Sequence, residues 1–198
     1  MKKSVIFLLA LLITGALSAQ PIFNLGVKAG INNSKVSLDV NDYTSESILK
    51  THIGAFSRIG WSRLYLQPEV YYSAKGGKVL ENDASPSERV SRFDYSTVDV
   101  PVLLGVQVLK GGAANLRVMG GPVFCFLTSK EIEADDVLDR QFYNNNYIGY
   151  QYGIGVDFLS FFIDARMEHG GDRLYQQTSE GINGKNKTFM VSVGFKIL

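Results

Sequence analysis

The sequence predicts an all-β protein: an eight-stranded antiparallel up-and-down β-barrel that crosses a membrane on its strands. Three observations point there. Apolar and polar residues alternate at period two in eight successive segments. The connections between these segments alternate between short and long. The less apolar face of the segments interleaves glycines with charges of both signs, a composition suited to a filled barrel interior.

The N-terminus comes first. In "MKKSVIFLLALLITGALSAQ", Lys2 and Lys3 form a positive start, Val5 to Ile13 an uncharged apolar stretch, and Leu17-Ser18-Ala19 a small-residue ending. This is the pattern of a secretory signal peptide over 1–19, which leaves 20–198 as one barrel domain outside the cytoplasm. The lone Cys125 can make no internal disulfide there. A formal net charge of +1 over 198 residues, with no basic block beyond the start, argues against a nucleic-acid partner. No later segment is apolar for the ~18 residues a spanning helix needs.

The strands follow in order. In "FNLGVKAGINNS", Phe23, Leu25, Val27, Ala29 and Ile31 share a face opposite Gly26, Lys28, Gly30 and Asn32. "THIGAFSRIGW" sets Ile53, Ala55 and Ile59 against His52, Gly54, Phe56 and Arg58. "RLYLQPEVYYSAK" sets Leu64, Leu66, Pro68, Val70 and Tyr72 against Tyr65, Gln67, Glu69, Tyr71, Ser73 and Lys75. "VDVPVLLGVQV" opposes its valines and Leu104 to Asp99, Pro101, Leu103, Gly105 and Gln107. "NLRVMGGPVFCFLT" opposes Leu116, Val118, Pro122, Phe124 and Phe126 to Arg117, Met119, Gly121 and Cys125. "NYIGYQYGIGVDF" opposes Ile148, Tyr150, Tyr152, Ile154 and Val156 to Gly149, Gln151, Gly153, Gly155 and Asp157. "FFIDARMEHGG" opposes Phe161, Ile163, Ala165 and Met167 to Asp164, Arg166 and Glu168. The last, "KTFMVSVGFKIL", carries Phe189, Val191, Val193, Phe195 and Ile197 on its apolar face. Pro68, Pro101 and Pro122 each remove a ladder donor, so local bulges are expected at them.

Short connections fall near Trp61-Ser62, at "KGGAAN" and near Leu159-Ser160; the other four are long and polar. Outer-membrane barrels pair short periplasmic turns with longer external loops. An even strand number puts both termini at the periplasmic side.

Alternation alone does not decide which face meets water. A soluble, lipocalin-like barrel for an apolar ligand turns its apolar face inward; a membrane barrel does the reverse. Glycine packs nothing on a water-facing strand, whereas in a narrow lumen it makes room for large neighbours. Gly26, Gly30, Gly54, Gly105, Gly121, Gly149, Gly153, Gly155 and Gly194 all lie on the polar face. That face also carries Arg58, Glu69, Asp99, Arg117, Asp157, Asp164, Arg166 and Glu168, expected to form a structural network of lumen charges. Trp61, Tyr72 and Tyr150 suit an aromatic girdle. The expected place is the outer membrane, with the last strand closing against the first because an open edge cannot sit in hydrocarbon. Leu198 falls on the lumen parity, a departure from barrels that end on an aromatic residue.

"FNLGVKAGINNS", "LYLQPEVYYSAKGG" and "VDVPVLLGV" resemble the PorT-like outer-membrane β-barrel family of Bacteroidetes. The matching positions are Gly26, Gly30, Pro68, Glu69, Tyr72, Ser73, Lys75, Gly76 and Pro101. The resemblance implies an eight-stranded outer-membrane barrel and, through the family's namesake, a tie to protein secretion.

Chemistry is sparse. His52 could pair with Asp99, and with only His52 and His169 a histidine-rich metal site is excluded. Asp164 and Glu168 lie ~13 Å apart along a strand, too far for a glycosidase pair; with Arg166 between them they read as an ion network. Glu131, Glu133, Asp135, Asp136 and Asp139 crowd one loop but lack the spacing and central glycine of a calcium loop. Cys125 reads as a small packing residue. The expected function is non-enzymatic, without cofactor or metal: a filled barrel among outer-membrane lipid, whose external loops meet a protein or surface partner. A lipid-modifying enzyme is the alternative, and would need a His–Ser or His–Asp pair at the external rim.

Overall fold

A computed structural model describes residues 21–38, 43–81, 90–133, 146–170, 175–177 and 182–198. The expected leader, 1–19, lies outside the described residues. The described residues form nine strands: β1 (Pro21–Leu38), β2 (Tyr43–Trp61), β3 (Leu64–Glu81), β4 (Val90–Lys110), β5 (Ala114–Glu133), β6 (Asn146–Phe158), β7 (Phe161–Gly170), β8 (Tyr175–Gln177) and β9 (Ile182–Lys196). Each pairs antiparallel with its chain neighbour from β1 to β7, β7 pairs with β9, and β9 returns to β1. Eight strands thus close a barrel, as the sequence predicts. β8 is a three-residue addition on the edge of β9, at Tyr175↔Gly184 to Gln177↔Ile182.

Closure runs from Gly26↔Lys196 to Leu38↔Gly184. It is extended at the bottom by Leu25 N–H donating to the carbonyl of Leu198 at 3.0 Å and Ile197 N–H donating to that of Leu25 at 2.8 Å. The strand itself ends at Lys196, so Leu198 is exposed and does not follow the lumen parity expected of it. Two tight turns begin on residues with left-handed backbone, Ser62 at φ 58° and Leu159 at φ 52°, the conformation that two-residue hairpins require.

The strands are longer than a crossing demands. β4 has 21 residues and β5 has 20, against the ~9–11 of a tilted membrane strand. Much of the polar sequence expected in the external loops is therefore strand. Glu131 and Glu133 fall at the end of β5, while Asp135, Asp136 and Asp139 lie outside the described residues.

The expected bulges at the prolines are absent. Pairing passes from Phe56↔Glu69 to Ile59↔Leu66 beside Pro68, and from Pro101↔Val123 to Leu104↔Gly120 beside Pro122, without a change of register. Beside Pro101 it passes from Pro68↔Val102 to Tyr71↔Asp99, again unshifted. Each proline opens the ladder toward the preceding strand only, and pairing with the following strand holds the register. The register shifts lie elsewhere, between Ser47 and His52, Ser96 and Thr97, and Gln107 and Leu109.

The apolar face is the outer wall. Ile163 is 58% exposed, Leu104 54% and Trp61 65%, while Arg117 and Arg166 are at 0% and 1%. This orientation removes the soluble-barrel alternative, whose apolar residues would line the interior.

Candidate functional site

The lumen holds the chemistry of the molecule, and glycine makes room for it. A Cβ on Gly105 would fall inside the Tyr65 ring, and one on Gly194 inside the Phe162 ring. A Cβ on Gly155 would collide with Asp164 and the Arg117 guanidinium. At the short-turn end the space is filled by aromatics. Phe56 and Phe162 meet edge-to-face at 5.0 Å, and the Arg58 guanidinium sits 5.0 Å from the centre of the Tyr65 ring, within the range of a cation–π contact.

Above this plug runs a closed circuit of hydrogen-bonded side chains. Arg166 donates to both oxygens of Glu69, at 2.9 and 2.8 Å, and to Asp164 Oδ2 at 2.5 Å. Asp164 accepts from Arg117, which also donates to Asp157 at 3.2 Å. Asp157 accepts from Arg58 at 3.2 Å; Arg58 Nε donates to Gln67 Oε1 at 2.9 Å; Gln67 Nε2 returns to Glu69 at 2.5 Å. Lys28 adds a further bond to Glu69 at 2.5 Å. The circuit spans β2, β3, β5, β6 and β7, with β1 attached through Lys28.

A second cluster lies toward the long-loop end. Lys75 Nζ is 2.8 Å from Asp99, 2.6 Å from Glu168 and 3.2 Å from the Tyr147 hydroxyl. Gln151 donates to Glu168 at 2.7 Å and to the Tyr71 hydroxyl at 2.5 Å. Asp99, Cys125 and Glu168 bring one oxygen, sulfur and oxygen within 4.8 Å of one another, a set that a divalent ion could use. The Lys75 ammonium already stands among them, 3.9 Å from the Cys125 sulfur, and supplies the positive charge there.

All eight predicted network residues are buried in the lumen. Two further members, Lys28 and Lys75, lie among them, buried to 2% and 0%. With them, the buried ions among the described residues are five cations (Lys28, Arg58, Lys75, Arg117, Arg166) and five carboxylates (Glu69, Asp99, Asp157, Asp164, Glu168). The grouping differs from that expected around Arg166. It joins Asp164 to Glu69 across the barrel, and Glu168 belongs to the Lys75 cluster.

The expected pairing of His52 with Asp99 does not form. His52 Nδ1 is 2.5 Å from Asn32 Oδ1 and its Nε2 is 2.8 Å from Ser192 Oγ. Asn32 is fixed in turn by donating to Ser73 Oγ at 2.8 Å. The order Ser–His–Asn is that of a nucleophile, a base and an orienting group. All three are nearly enclosed, however, at 1%, 3% and 0% exposure.

A closed antiparallel barrel, apolar outside and ionic within, is the form that satisfies every backbone group in a bilayer. A family model described as the outer membrane protein beta-barrel domain matches residues 18–170. The chain belongs to this family. It is an outer membrane β-barrel protein. No curated protein matches it in sequence. Among solved structures it is similar to Ail, the attachment invasion locus protein of Yersinia pestis, in complex with the heparin analogue sucrose octasulfate. The identity is 14%, with 88% of this chain and 99% of that one covered and a TM-score of 0.45. It is also similar to Neisserial surface protein A, at 12% identity, 87% and 97% coverage and a TM-score of 0.48. A third similarity is to the translocator domain of the autotransporter NalP from Neisseria meningitidis. There the identity is 12%, the coverage 87% and 88%, and the TM-score 0.32.

Proposed function

We propose that this outer membrane barrel is a non-enzymatic structural or interaction protein. Its lumen is a fixed plug, and its long-loop end meets a protein or surface partner. The observation that supports this is the closed circuit through Glu69, Arg166, Asp164, Arg117, Asp157, Arg58 and Gln67. It fills the cross-section with paired ions and leaves no lumen for general diffusion. In this reading the ten ions are structural: they hold the wall rigid so that the long-loop end is displayed in one arrangement. The resemblance to the PorT-like family extends the reading to a part in protein secretion, with the barrel as a membrane-embedded component. The experiment is cross-linking in whole cells with variants lacking residues 82–89 or 134–145. Capture of a protein partner is expected to be lost while the heat-modifiable mobility of the folded barrel is kept. Capture unchanged by both deletions, or absent from the full chain, refutes the loop reading.

A second reading rests on the Ser192–His52–Asn32 chain alone, which lies inside the barrel at the level of Asp164 and not at the external rim. In a lipid-modifying hydrolase Ser192 would attack an ester carbonyl as His52 takes its proton, His52 would pass that proton to the departing alcohol as the ester bond breaks, and water would then release the acyl group from Ser192. The folded barrel treated with a fluorophosphonate probe separates the two. The structural reading expects no labelling; labelling abolished by Ser192→Ala establishes the hydrolase.

A further inference from the structure

The outer wall ends in a basic rung that has no acidic neighbour among the described residues of its three strands. On β7, β9 and β1 the outward face is apolar from the short-turn end up to Met167, Phe189 and Ile31. The ladder then places His169 opposite Lys187, and Lys187 opposite Lys35. All three point outward, since their chain neighbours Glu168, Thr188 and Ser34 are buried in the lumen. Directly opposed residues on one sheet face hold their Cβ atoms about 4.5–5.5 Å apart, and like charges so placed repel. No acidic side chain faces outward on these three strands among the described residues, and neither lysine makes an ion pair there.

The height of the rung matters. His169 lies eight residues up β7 from Phe161. At ~3.3 Å per residue and a tilt of about 40°, that is roughly 20 Å above the short-turn end, near the outer edge of an apolar band ~25 Å tall. Beside it in register stands Tyr150, paired with His169. The rings of Tyr150, His169 and Tyr152 stack, with His169 5.1 Å from Tyr150 and 5.7 Å from Tyr152. Tyr152 Oη is 3.2 Å from His169 Nε2. One end of the rung is thus a fixed aromatic stack at the headgroup level, where amphipathic rings are favoured. The other end is two long ammonium arms that pair with no carboxylate among the described residues.

We propose that Lys35 and Lys187, flanked by the His169 stack, bind the phosphate of an anionic lipid headgroup in the outer leaflet. The occupant is a lipid because the charge sits on the lipid-facing wall, where the apolar face gives way to the polar one. A phosphate there turns a repulsive pair into two charge-assisted hydrogen bonds. This inference does not depend on the loop reading, and its failure would leave that reading untouched.

The test uses the full chain folded into nanodiscs of phosphatidylcholine, with or without a bis-phosphorylated lipid A, and counts retained lipid A by native mass spectrometry. Each lysine at an anionic surface is worth about fivefold in affinity, so Lys35→Gln with Lys187→Gln is expected to weaken retention about 25-fold. Lys110→Gln, at the exposed short-turn end, should leave it unchanged, and Lys35→Arg with Lys187→Arg should restore it. Heat-modifiable mobility reports folding of every variant, and the single glutamine variants serve if the double one does not fold. Retention within twofold of wild type in the glutamine variants overturns the proposal. So does displacement of lipid A by inorganic pyrophosphate at equal concentration, since the site would then take free phosphate.

Discussion

Arg166 grips both carboxylate oxygens of Glu69 across the barrel, from β7 to β3, at 2.9 and 2.8 Å. This is the two-pronged geometry in which a guanidinium binds most strongly. Arg166 also holds Asp164, so one side chain ties two carboxylates on opposite walls. Breaking a buried pair by removing one partner costs about 3–5 kcal/mol. Arg166→Met and Glu69→Gln are each expected to lower folding stability by that order. The double variant should cost at least ~1 kcal/mol less than the sum, as coupled neighbours do. Urea titration of the heat-modifiable band in lipid vesicles measures all three. Strict additivity would show that the contact is not made.

Gly194 lies beneath the Phe162 ring. Gly194→Val should therefore prevent the barrel from closing or destabilise it by about 1–3 kcal/mol, the usual cost of overpacking. Combining it with Phe162→Ala should recover the folded band. A recovery by Phe56→Ala alone would place the clash elsewhere.

Lys75 occupies the centre of a potential ligand set. Lys75→Ala removes the ammonium and leaves Asp99, Glu168 and Cys125 facing one space. Folding this variant in the presence of zinc is expected to raise its thermal midpoint, because sulfur and carboxylate donors suit that ion. The wild-type midpoint should not move. An equal shift in both proteins would assign the effect to the surface.

Trp61 stands on the outer wall at the short-turn end, and Cys125 faces the lumen at 1% exposure. Brominated lipids should quench Trp61 fluorescence strongly. A maleimide should leave Cys125 unmodified until the barrel is heated in detergent. Rapid labelling of Cys125 in the folded protein would mean that the lumen is open.

The barrel and its orientation were legible because period-two alternation, loop lengths and lumen glycines are local signals that agree. The partners were not. The eight charges read from the sequence contain three cations and five carboxylates, an imbalance that a buried site does not tolerate. Lys28 and Lys75, on the same face by parity, are the two cations that balance it, so the missing members were recoverable by charge alone. That His52 meets Asn32 and Ser192, with Asp99 going to Lys75, was not recoverable. Which lumen residues share a level depends on the stagger of the closed sheet, and alternation says nothing of stagger. The prolines misled for a related reason. A missing donor on one edge of a strand is tolerated when the other edge keeps its pairing, as Pro68↔Val102 and Pro122↔Tyr150 do.

The unusual length of β4 and β5 has a consequence for how the molecule changes over time. Twenty residues at ~3.3 Å and a 40° tilt reach about 50 Å, twice the height of the apolar band. The upper half of the wall therefore stands above the apolar band, with a packed lumen behind Thr97, Asp99 and Cys125, and its outer face escapes the apolar-out rule that governs the lower half. Substitutions there can alter what the cell displays without loosening the anchor, so presentation and anchorage are free to diverge on a single continuous sheet.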